Sequence, residues 1–226
     1  MPKKFSSIAQ KNLMAMTGLF LCAFLVIHLA GNLVLFQSEE DAQLKFNEYA
    51  NFISGVKVIK VAAYLTYFCI LSHATLSIIL TIKNRKAAGQ RYIYDDPKIL
   101  SPWYTRWMGV LGSLLFVFIV VHMLDFWYPY KFSDTIGLDE NGKKDLYSLV
   151  SFAFRRWWCV LFYVVSMVAL AFHLYQGLYN GCRSLGFHHP KYSTRLKLFS
   201  KIFAIAISLA FAAMPVFIFI RQHCSK

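Results

Sequence analysis

Five apolar stretches, over residues 12–36, 58–82, 107–127, 157–181 and 199–220, constrain this chain more than any other feature. Each is about the 20 residues needed to cross a bilayer as a helix. Lipid offers no partner to an unpaired peptide group, so each stretch must satisfy its own backbone and be helical. Of the whole sequence, 58% is apolar or aromatic and only 15% is charged, against about half and a quarter in ordinary soluble domains. The expected fold class is therefore an all-α membrane protein, a five-transmembrane-helix bundle forming one domain over 1–226. The intervening loops are too short for an independent domain. The 128–156 segment is expected to hold a short cap helix, and 41–52 to form an amphipathic surface turn. Trp103, Trp107, Trp127, Trp157 and Trp158 fall near the ends of the apolar runs, where an aromatic belt meets the headgroups.

The formal charge of +13 raises nucleic acid as a partner, but the cations form no single stripe. They cluster at the ends of the spans, as topology demands, and nucleic-acid binding is not expected. One side of the bundle receives the N-terminus and the 83–106 and 183–201 loops, with 14 Lys/Arg against only Asp95 and Asp96. The other side receives most of the acids. The positive-inside rule then puts the N-terminus in the cytoplasm and the C-terminus outside. The first apolar run is too long for a signal-peptide core and reads as a retained span. Five cysteines with no CxxC spacing predict neither a disulfide framework nor a zinc site.

Four of the seven histidines lie inside spans: His28, His73, His122 and His173, one in each of the first four. Ionisable groups at that depth are costly and mark function by default. With a rise of about 1.5 Å per residue, His28 and His122 both stand about 23 Å above the N-terminal face, and His73 and His173 about 13 Å above it. The four thus sort into two level pairs. Each pair can give two neutral imidazoles to one flat macrocycle, the bis-histidine ligation of a b-type cytochrome, whereas a two-histidine site without carboxylate or thiolate suits zinc poorly. The expectation is two haem b groups enclosed by four helices, with His28 and His122 on the distal iron, and His73 and His173 on the proximal one. Small residues near the ligands (Gly31, Gly112, Gly177, Thr66, Ser77) fit ring approach and plain helix packing equally.

The segments TGLFLCAFLVIHLAGNLVLF (17–36), FNEYANF (46–52), SHATLSIILTIKNRKA (72–87) and HLYQGLYNGCRSLGFHHPKY (173–192) resemble the cytochrome b558 membrane-anchor subunits of succinate dehydrogenases and fumarate reductases, of the five-helix di-haem class. The resemblance runs over nearly the whole chain. It implies a subunit of a succinate/fumarate:quinone oxidoreductase in a bacterial inner membrane. Such a subunit is quinone-reactive, with menaquinone as the quinone, and holds no dicarboxylate chemistry itself. It implies a flavoprotein and an iron–sulfur subunit docked on the cytoplasmic side, and admits a dimer of the whole complex. It also implies the same assignment of histidine pairs to proximal and distal haems as the heights do.

Other residues are candidates for supporting roles. Haem propionates want cationic or N–H donors, which singles out Arg183 and Trp107 towards one face and Arg155 and Arg156 towards the other. The competing role for these four is interface anchoring. Asp125, three residues after His122, is the only acid in any span, and Glu48 lies between the first two spans. Both are candidate acceptors for quinol protons, or simply acids reaching the headgroups. His188 and His189 read as interface contacts, and Pro215 as a tolerated kink. Two other functions compete: the cytochrome b subunit of another respiratory dehydrogenase or hydrogenase, and a haem-free transporter or proton channel relaying through the histidines.

Overall fold

The structure is a computed structural model that describes residues 6–87, 102–133, 136–187 and 189–224. Asp95, Asp96, Asp134 and His188 lie outside the described residues. What is described is almost entirely helical. Five helices are long and apolar enough to cross a membrane, and each covers one of the five apolar runs to within a residue.

The first span is α1 (Ser7–Asn32), capped by the Ser6 hydroxyl accepting from Ala9 N–H and prolonged by a 3-10 turn, Leu33–Phe36. The amphipathic surface turn expected over 41–52 is instead a helix of 17 residues, α2 (Glu39–Gly55). Three acids, Glu39, Glu40 and Asp41, occupy its first turn, where they favour the positive end of the helix dipole. Ala42, Phe46 and Ala50 are buried at intervals of four, the spacing of a single helix face. The second span is α3 (Lys57–Ala87).

A single turn, α4 (Trp103–Arg106), leads into α5 (Met108–His122). The third span then passes through a π-helical turn, Met123–Trp127, into α6 (Tyr128–Phe132). The cap helix expected over 128–156 is α7 (Leu146–Phe154). The fourth span is α8 (Trp157–Ser184), which closes at Gly186. There a left-handed φ of 90° lets Phe187 N–H reach back to the Cys182 carbonyl, the six-to-one bond of a glycine-terminated helix. The last span, α9 (Pro190–Cys224), starts before its apolar run and continues through a buried Pro215.

Helix α8 is the hub. It packs along α9, crosses α1 and α5, and receives α7 against its first turns. Gly181 and Ala15 allow α1 to approach it closely. The largest buried cluster lies at the C-terminal face, where Leu35, Phe46, Tyr147, Phe154, Tyr163 and Ile218 join the ends of five elements. Outside the bundle the surface is apolar: Ile27, Val61, Phe68 and Leu209 are each 63–67% exposed. Large apolar side chains exposed in this way along the spans suit lipid contact.

One close approach fixes the angle between α1 and α2. A β-carbon on Gly31 would stand 2.6 Å from Cε1 of Tyr49, so the tyrosine ring would have to move. Gly31→Ala is expected to cost about 1–3 kcal/mol through overpacking. Thermal unfolding in detergent measures it, and adding Tyr49→Ala should restore most of the loss.

Candidate functional site

The four intramembrane histidines meet in two pairs. His28 of α1 and His122 of α5 have ring centroids 5.9 Å apart, at an interplanar angle of 85°. His73 of α3 and His173 of α8 have centroids 6.3 Å apart, at 75°. Each pair joins helices that run in the same direction through the bundle.

The His28–His122 pair is walled by aromatic rings. Phe24 stacks on His28 at 5.4 Å and Phe118 on His122 at 5.7 Å, both nearly parallel. Phe126, Tyr163 and Phe211 complete the wall at centroid distances between 5.3 and 6.1 Å. Nδ1 of His122 is buried with no hydrogen-bond partner.

At the second pair, Nδ1 of His73 lies 3.2 Å from the Met14 carbonyl and 3.2 Å from Thr17 Oγ1. A carbonyl can only accept, so Nδ1 carries the proton and Nε2 is left with a free lone pair. This is the arrangement by which an outer-shell carbonyl fixes a ligand tautomer. Two glycines make room for the rings. A β-carbon on Gly18 would stand 3.0 Å from His73 Cε1, and one on Gly112 would stand 3.5 Å from His173 Cε1. Nδ1 of His173, like that of His122, is buried without a partner.

Below the second pair, a pocket of about 440 Å³ opens between the ends of α1, α3 and α8 on the N-terminal face, lined by Lys11, Met14, Leu80, Asn84, Asn180, Arg183 and Ser184. Two cations and three neutral polar groups face it, with no acid. A second pocket of about 320 Å³, lined entirely by apolar and aromatic residues, lies between α3 and the third span and includes Tyr67, Met123 and Trp127.

The remaining sequence candidates scatter. Arg183 lines the first pocket and stacks over Tyr179 at 5.4 Å. Trp107 is 55% exposed beside α5. Arg155 and Arg156 are exposed before α8, with the Arg156 guanidinium 4.7 Å from the Trp158 ring. Glu48 is exposed on α2 and pairs with Lys143 at 3.5 Å. Asp125 is half-buried and accepts from Tyr163 Oη at 3.0 Å. His189 is exposed and caps the start of α9 through Lys191 N–H.

Among the small residues, Gly112 serves His173 rather than the histidine of its own helix, Gly31 serves Tyr49, and Gly177 meets nothing within 4 Å. Thr66 bonds the Ala62 carbonyl of its own helix. Sequence reasoning passed over Lys11, Thr17, Gly18 and Tyr163. Thr17 and Gly18 carry a weak signal, a small pair at the start of a span, which only the neighbouring helix makes meaningful.

Among the described residues no group of three or more His, Cys, Asp or Glu could hold a metal ion. Each histidine pair offers two imidazoles. No family model, curated protein or solved structure matches the chain.

Proposed function

We propose that this chain is a di-haem cytochrome b membrane anchor of a succinate/fumarate:quinone oxidoreductase. In this reading it carries electrons between a membrane quinone, menaquinone by preference, and an iron–sulfur subunit. That subunit docks with its flavoprotein on the N-terminal face, which is cytoplasmic in a bacterial inner membrane.

The observation that carries the reading is the spacing of the two histidine pairs. With a metal–nitrogen bond of about 2.0 Å on each side, imidazoles facing one ion end to end have centroids about 6 Å apart. A direct N–H···N hydrogen bond of about 2.9 Å would draw the centroids in to about 5 Å. The spacings of 5.9 and 6.3 Å are compatible with the first arrangement and longer than the second.

The donor chemistry fits the same group. His73 presents Nε2 with its lone pair free, because Met14 and Thr17 hold the proton on Nδ1. His122 and His173 each bury an unpartnered nitrogen, a loss of about 1–3 kcal/mol that ligation by the same ring helps to offset. Aromatic walls and Gly18 and Gly112 suit a flat apolar body beside the rings. Lys11 and Arg183, with Asn84 and Asn180, suit its carboxylates at the N-terminal face. Haem would supply one-electron redox chemistry. The chain holds the irons, excludes water from them through Phe24, Phe118 and Phe126, and fixes two redox centres at different depths.

The test is a dithionite-reduced minus oxidised spectrum of the purified protein, with haem per chain measured chemically. Two b-type haems and a co-purifying covalent-flavin protein are the expected result. A colourless folded protein would sink the reading, and a molybdenum or nickel partner would redirect it to another respiratory enzyme. Gly18→Ala, whose new methyl would press on His73, should lower the haem content of the His73–His173 centre by half or more and spare the other.

A further inference from the structure

The two histidine centres differ in their charged surroundings. Asp125 is the only acid in any of the five apolar runs, and it sits three residues after His122 in a π-helical turn that begins directly behind that histidine. Such turns are rare and recur at functional positions. Its partner is Tyr163 of α8, whose Oη donates to Oδ2 at 3.0 Å.

Tyr163 is only 5% exposed and its ring touches the centre itself, with centroids 6.1 Å from His122, 5.1 Å from Phe118 and 5.0 Å from Phe154. The pair therefore lies in a largely apolar enclosure, where a charge acts farther and more strongly than in water. Arg155 and Arg156 stand at the adjoining helix start. Both are exposed, Arg156 stacks on Phe152 and Trp158, and neither forms an ion pair with Asp125 among the described residues. At the other centre the situation is reversed: Lys11 and Arg183 face the adjoining pocket and no acid does.

We infer that Asp125, held by Tyr163, is a tuning element for the His28–His122 centre. Its negative charge stabilises the oxidised, more positive form of a redox group held there, and leaves the His73–His173 centre unaffected. Tyr163 is a positioning residue that acts through Asp125, partly neutralising the carboxylate with its O–H and fixing its place beside the histidine. The inference rests on the di-haem reading above and adds to it a residue-level cause for unequal potentials.

The test is a spectroelectrochemical titration of the assembled complex at mildly alkaline pH, with haem content measured in parallel. Asp125→Asn keeps the shape and removes the charge. At fixed ambient potential it is expected to raise the reduced-to-oxidised ratio of one centre about tenfold, equivalent to 59 mV for one electron, with the other centre unmoved. Tyr163→Phe keeps the charge and strips its donor, so the same centre should move the opposite way. Glu140→Gln removes a charge from the exposed turn on the same side and should move neither. A purely structural pair would shift both variants in one direction or lower occupancy of the site, and either result overturns the inference. So does an Asp125→Asn complex with both haems present and both potentials unchanged, an outcome that leaves the di-haem reading standing. A colourless wild-type protein would remove both.

Discussion

If the two pairs hold haem as proposed, replacing His122 with alanine is expected to halve the b-type absorbance of the purified protein, and replacing His73 to remove the other half. The two pairs are separate in space, each with its own walls, so loss of one ligand should empty one centre and spare its neighbour. The remaining imidazole of a broken pair has no second histidine to join, because among the described residues His28 meets only the His122 imidazole and His173 only that of His73. The double variant should be colourless and still inserted, since five helices of bilayer length remain. On the proposed function each single variant should also stop electron flow from quinone to the iron–sulfur subunit, because one of the two proposed redox centres would be missing. The checks are haem per chain, the reduced spectrum and quinone-linked turnover. If His122→Ala and His73→Ala each left the spectrum whole, the histidines would not be ligands.

The legibility of this arrangement from sequence follows from how few solutions lipid allows. A span must be helical, its rise per residue is fixed, and alternate spans run in opposite directions. Counting residues from a span end therefore gives a height, and the heights of His28, His73, His122 and His173 already sort them into the pairs whose rings meet in the fold. The features that escaped reading depend on a neighbouring helix. Thr17 and Gly18 look like ordinary span residues until α3 brings His73 against them. Gly112 looks like a companion of His122, ten residues ahead on its own span, but faces His173 of α8. Tyr163 lies among many aromatic residues, and only the π-helical turn of the third span brings Asp125 to its hydroxyl.

The α2 helix stands where a surface turn is expected, although Ser38 followed by three acids, then Ala42, Phe46 and Ala50 at intervals of four, is a legible helix start and face. Read as a turn, the segment offers no lid. As a helix it lies across the C-terminal face of the bundle, with Phe46 in the same cluster as Tyr163 and Phe154. Phe154 and Tyr163 of that cluster join it to the rings around His122, so α2 and α7 form a closure beside the His28–His122 pair.

The fastening of that closure carries the second large expected effect. Asn47 is fully buried in α2 and makes bonds in both directions. Its amide donates to Asp145 Oδ1 at 2.9 Å and to Asp139 Oδ2 at 3.4 Å, and its carbonyl accepts from Tyr147 N–H at 2.9 Å. Asp145 in turn caps α7 through Ser148 and receives Gln43 at 2.7 Å. Asn47→Ala leaves a buried peptide N–H unpaired and strips a donor from Asp145 and, at longer range, one from Asp139. The first two losses cost about 1–3 kcal/mol each, so the total expected is roughly 2–6 kcal/mol. The measurement is thermal unfolding in detergent, with hydrogen exchange expected to localise the opening to α2 and α7.

The pH dependence has a definite sign. Partial burial works to raise the pKa of Asp145, but the hydrogen bonds from Ser148, Asn47 and Gln43 outweigh it and hold the pKa below its ordinary value. A carboxylate depressed on folding adds stability above its unfolded value of about 3.9, and that stability is lost as the pH falls through the lower folded value. The wild-type closure should therefore loosen on acidification into that range. Asp145→Asn should unfold at a temperature nearly flat over the same interval, because the group whose proton uptake couples to opening is gone. An acid slope as steep in Asp145→Asn as in the wild type would assign the coupling to other carboxylates, and would leave Asn47 a packing residue rather than the anchor of an ionised cap.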